Sequence, residues 1–222
     1  MRPLNSARII GSLFIFASAA PMITYFFSSS LRTPDYLVNA AGNETQILNG
    51  VLVELVWALA VVGIPTFLFP ILKQHSEALA LSFFSLRFIE ALSTIIHSLL
   101  LLSLLTLGKE YVASGDPVDA FYYTMGDTML AARDWAFKIG SGLVWSLSAI
   151  VLNYILYKAN LVPSWLSGWG FVGASVSILV YMLQFFSITV SERFLFPIAA
   201  QEMVFAVWLI VKGFNPSAIT LP

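Results

Sequence analysis

Six apolar runs, each about as long as a lipid bilayer is thick, dominate the chain: Ile9–Ser28, Ile47–Leu72, Glu77–Leu107, Met129–Lys158, Leu166–Ile188 and Phe194–Lys212. At about 1.5 Å of helical rise per residue, about 20 apolar residues cross about 30 Å of hydrocarbon. The runs are continuous rather than alternating, which argues against the period-two pattern of a membrane barrel. Of the 222 residues, 59% are hydrophobic and 10% are charged, against about 25% charged in soluble domains. One water-surrounded core cannot hide that much apolar surface, so the surplus faces lipid. The sequence predicts an all-α polytopic membrane protein, a single transmembrane domain over residues 1–222. Its architecture is a six-transmembrane-helix bundle with the lipid bilayer as partner.

Charges flanking the runs set the orientation. Arg2, Arg8, Lys73, Lys158 and Lys212 fall on one side, and Arg32, Lys109 and Arg193 on the other, with Arg133 at the membrane edge. That excess places the N-terminus and C-terminus in the cytoplasm. The longest outer loop is expected at about Gly108–Thr128, holding Asp116, Asp119 and Asp127 and too short for a core of its own. The start "MRPLNSARIIGSLFIFASAAPM" imitates a signal peptide, but apolar residues continue through Met22–Phe27, which favours a retained first helix. Pro21, Pro65 and Pro70 are expected to kink their helices. Gly170-x-x-x-Ala174 and Gly173-x-x-x-Ser177 mark a close helix contact.

Composition removes several function classes. A net charge of −1 with no basic stripe gives no reason to expect a nucleic-acid partner. The absence of cysteine removes disulfides, iron–sulfur clusters, thiol catalysis and cysteine-ligated zinc. There is no H-E-x-x-H, no P-loop and no G-x-S-x-G elbow. His75 falls in a loop, which excludes bis-histidine haem ligation with His97 inside the bundle. No metal-ligand spacing is present, and no cofactor is assigned.

The charges inside the runs carry what remains. A charge at the bilayer centre costs roughly 2.5–3.5 kcal/mol on insertion scales, so intramembrane ionisable residues mark candidate sites. In "SFFSLRFIEALSTIIHSLL", Arg87, Glu90, Thr94 and His97 are spaced three, four and three apart and share one helix face. Phe83, Phe88, Ile89, Ile95, Ile96 and Leu99 occupy the other sides, so the stripe faces the bundle interior. Asp134 and Lys138 are four apart, with Ser141 and Trp145 expected to continue that face. Glu54 lies one turn from Trp57, and Glu202 stands beside Gln201. Four carboxylates (Glu54, Glu90, Asp134 and Glu202) face two fixed cations, Arg87 and Lys138, and His97 is able to reduce the imbalance. An excess of acid in low dielectric attracts a proton or a cation.

The segments "ARIIGSLF", "SLRFIEAL", "LVPSWLSGWGFVGA" and "FPIAAQEMVFAVWLIVKGFNPSAI" resemble the bacterial six-helix membrane proteins of domain-of-unknown-function family 4386. The likeness spans nearly the whole chain, strongest at the C-terminal end and weakest over Leu107–Asp127. It implies a multi-pass protein of the bacterial cytoplasmic (inner) membrane and no activity. The residues themselves point first to an acidic cavity that binds or transports a proton, a cation or a small polar ligand. In that reading Glu90 is the central group, Arg87 and His97 tune it, and Glu54, Asp134, Lys138 and Glu202 complete the site. An intramembrane enzyme acting on a lipid-like substrate, with His97 or an acid as base, is the second reading. A non-catalytic partner subunit whose charges are structural pairs is the third. Oligomeric state is left open by the sequence.

Overall fold

The computed structural model describes residues 3–115 and 120–219. The expectations for Arg2, Asp116 and Asp119 lie outside the described residues. No strand occurs among the described residues, and six helices are long and apolar enough to cross a membrane. The first span is α1 (Pro3–Phe27) and the second is α3 (Glu44–Leu72); between them lies a short α2 (Tyr36–Gly42). The third is α4 (Glu77–Ser114). The fourth joins α5 (Ala120–Ala136), a π-helical segment (Phe137–Val144) and α6 (Trp145–Lys158) without a break. The fifth is α7 (Ser164–Phe185), and the sixth is α8 (Phe196–Val211), preceded by a 3-10 turn (Glu192–Leu195).

Each span packs on its neighbours in sequence, and the ring closes between α8 and α1. There Phe14 meets Phe205 edge-on at 5.3 Å. Both described ends of the chain therefore sit at one end of the bundle, where Asn215 N–H donates to the Leu161 carbonyl at 2.8 Å. The main apolar core, including Ile10, Ile64, Leu68, Leu156 and Leu209, fills that half. Phe88, Ile89, Leu92, Ile96 and Leu99 are exposed on the outside of α4, as a lipid-facing surface requires. Phe83, expected among the outward groups, is instead 2% exposed and belongs to the interior.

The expected long loop is mostly helix. With 38 residues, α4 is about 57 Å long, well beyond the ~30 Å hydrocarbon layer. Its last turns project at the end opposite the termini, where Leu104, Leu105 and Tyr111 form a second apolar cluster with Leu37, Ala40 and Ile47. The Tyr36 hydroxyl ties α2 to α5, donating to Asp127 Oδ1 at 2.8 Å. The small-residue stripe of α7 does what its spacing predicts. Gly170 abuts the Asn153 side chain of α6, Gly173 faces Ile198 of α8, and the Ser177 and Ser146 hydroxyls are 2.7 Å apart.

Candidate functional site

Helical periodicity delivers the polar residues to the interior. On α3, Glu54, Trp57, Val61, Ile64 and Leu68 recur three and four apart and are all buried. On α4, the same spacing buries Ala80, Phe83, Arg87, Glu90 and Thr94. These faces carry two separate polar groups, divided by Trp57 and Phe137, whose rings lie 6.3 Å apart.

The first group is a closed knot around Glu54, whose side chain is fully buried. Arg133 donates to Glu54 Oε1 through Nη2, and to Oε2 through Nη1 at 3.4 Å. The Ser98 hydroxyl donates to Oε2 at 2.7 Å. His97 Nδ1 lies 3.2 Å from Oε1. Arg133 also donates to the His97 carbonyl, so one guanidinium fastens α3, α4 and α5 together. An Arg–carboxylate pair with its remaining lone pairs satisfied is the geometry that offsets the desolvation of two buried charges.

The second group borders a cavity of about 180 Å³ near mid-span. Arg87 and Glu90 enter it from α4, with Arg87 Nη1 3.0 Å from Glu90 Oε2. Glu202 enters from α8 and accepts from the Ser18 hydroxyl of α1 and the Trp145 indole N–H, each at 3.0 Å. Trp57 of α3, Tyr181 of α7, and Phe137 and Ser141 of the fourth span complete the wall. All six spans therefore contribute. Arg87 Nε is buried and has no hydrogen-bond partner among the described residues.

A larger cavity of about 730 Å³ lies on the knot side, away from the termini. Arg32, His97, Arg133, Asp134 and Glu192 line it. Pro21 and Phe137 line both cavities, so Phe137 stands between the larger space and the smaller one.

The local geometry of the fourth span explains the division. A π-helix bonds i to i+5, so each turn takes more residues than an α-turn. That winding lets Phe137, Ser141 and Trp145, four apart, all reach the smaller cavity. The segment also lies tight against its neighbours, since a Cβ at Gly140 would collide with Ser93 and one at Gly142 with the Tyr181 ring.

The chain carries its likeness over almost its full length: the model of the family described as Domain of unknown function (DUF4386) matches residues 9–213. It belongs to that family. No curated protein and no solved structure matches it. The DUF4386 chain is thus an integral-membrane-type helical bundle whose chemistry must be read from its own residues.

Of the residues singled out by sequence, the structure brings Arg87, Glu90 and Glu202 to one cavity, and Glu54 and His97 to the knot. Asp134 and Lys138 form their expected pair at 2.6 Å, but their side chains are 58% and 33% exposed and stay outside the smaller cavity. The π segment separates them from the face of Ser141 and Trp145. Sequence reasoning missed Arg133 as the partner of Glu54. Its signal was the set Gly126, Leu130, Arg133 and Phe137, spaced four, three and four, one face over from Asp134 and Lys138. Among the described residues, the buried Glu54 and Glu90 and the half-buried Glu202 therefore stand against the buried Arg87 and Arg133, so one carboxylate is left over in formal terms.

Proposed function

We propose that the protein holds a proton, a cation or a small polar ligand in the smaller cavity, with Glu90 and Glu202 as its acidic groups and Arg87 orienting Glu90. The observation that carries this reading is the convergence of all six spans, with Arg87, Glu90 and Glu202, on one largely apolar space of about 180 Å³, larger than the ~150 Å³ that suffices to bind benzene. Intramembrane ionisable groups facing a cavity mark ligand and proton pathways. Glu54, His97 and Arg133 form the neighbouring support, and the larger cavity is the approach. With both termini in the cytoplasm of a bacterial cell, as flanking charges favour, that approach opens toward the outer face of the inner membrane. Movement of the bound species across the membrane is the transport form of this proposal.

The test is native mass spectrometry of the detergent-purified protein alongside proton flux in proteoliposomes. A bound small molecule or a proton flux in the wild type, lost in Glu90→Gln at unchanged yield, supports the reading. Glu90→Gln retaining both in full overturns it.

A second reading has its own observation. His97 borders the cavity of about 730 Å³ while its Nδ1 sits against Glu54, the arrangement of an oriented general base. That reading makes the protein an enzyme acting on a lipid-like substrate. It requires lipid turnover that disappears in His97→Ala.

A further inference from the structure

The titratable groups bordering the smaller cavity are Arg87, Glu90, Tyr181 and Glu202. Arg87 is already paired with Glu90. The two donors to Glu202, the Ser18 hydroxyl and the Trp145 indole, are neutral. They orient the carboxylate without cancelling its charge; Arg87 also attracts it but is shared with Glu90, and Glu202 keeps part of its surface open. Four aromatic residues share the lining: Trp145, which donates to Glu202, together with Trp57, Phe137 and Tyr181.

We propose that this cavity binds a small organic ammonium ion, held by the Glu202 carboxylate and the aromatic faces around it. The proposal rests on the cavity reading above and names its ligand class. An aromatic wall attracts an alkylated cation through ring quadrupoles, and most strongly where water is excluded. A hard metal ion fits poorly, because Ca²⁺ takes about 6–8 oxygen ligands and Mg²⁺ retains several waters, whereas much of this lining is carbon. An anion would meet two carboxylates against one guanidinium among the described lining residues, and that guanidinium already lies 3.0 Å from Glu90 Oε2. A space of about 180 Å³ accommodates a compact alkylammonium headgroup.

The test uses the full-length protein in detergent, titrated with methylammonium, tetramethylammonium and choline while tryptophan fluorescence is followed. The neutral control is 3,3-dimethylbutan-1-ol, which has the shape of choline without its charge. At least one ammonium ion is expected to saturate, with the alcohol at least about tenfold weaker, a difference of roughly 1.4 kcal/mol. Glu202→Gln is expected to weaken the ammonium by at least about tenfold, on the same relation, and to leave the alcohol unchanged. Trp57→Leu, which keeps the wall apolar and removes a π face, should lower ammonium affinity alone. Saturation by none of the three ions, equal binding of the alcohol, or variants that retain wild-type ammonium affinity would overturn the proposal. A neutral or anionic molecule found in the wild type and lost in Glu90→Gln would overturn the ammonium assignment and leave the cavity reading intact. Absence of any adduct, proton flux or ammonium saturation would overturn both.

Discussion

Glu54 and Glu202 are both carboxylates on the interior face of a membrane helix, yet their surroundings differ in kind. Glu54 is wholly enclosed and meets a guanidinium, an imidazole and a hydroxyl. Glu202 meets a hydroxyl and an indole, and faces open space. A buried acid with a fixed cationic partner is spent on holding helices together. An acid with neutral donors takes up a proton or a countercharge, and that demand is what a binding site offers.

The largest expected effect tests the first half of the comparison. Arg133→Ala leaves Glu54 buried without its cation and is expected to cost about 3–5 kcal/mol, read as a fall in the unfolding temperature of the detergent-purified protein. Combining Glu54→Gln with Arg133→Gln should recover much of that loss. Wild-type stability in Arg133→Ala would make the knot no different from the cavity.

Next comes the seam between the two groups. Gly140→Ala drives a methyl group into Ser93, an overpacking cost of about 1–3 kcal/mol. The same thermal assay reads it, and an unchanged midpoint would show that the π segment yields without cost. Glu202→Gln sharpens the other half. Stability should change by no more than about 1 kcal/mol, because the glutamine amide can accept from the Trp145 indole and donate to the Ser18 hydroxyl, while the ligand is lost. A collapse of stability in this variant would turn Glu202 into a second structural lock.

The smallest effect belongs to Asp134 and Lys138. Exchanging the two residues should alter stability by no more than about 0.5 kcal/mol, since both side chains are partly exposed. Ligand retention measured by native mass spectrometry should match the wild type. Loss of the ligand on that exchange would extend the site beyond the smaller cavity.

The α4 stripe was legible because three- and four-residue spacing within a single helix is a local property. Arg87, Glu90 and Thr94 are buried together as that spacing requires. The partner of Glu54 was not legible. Arg133 lies 79 residues away in the chain, and the i,i+4 pair beside it offered Asp134 and Lys138 a local solution. The π segment was equally hidden, because it depends on how Gly140 and Gly142 seat against α4 and α7. Without it, Trp145 would be grouped with Asp134 rather than with Glu202.

The sequence alone determined the bundle: length and hydropathy of each run require membrane-spanning helices, and periodicity turns their polar stripes inward. Tertiary structure decided which charge meets which. That choice depends on the rotation and depth of each helix against its neighbours, quantities set by side-chain packing across the ring. The local departure from α-winding at Phe137–Val144 lies between Arg133, held at the knot, and Trp145, held at the cavity.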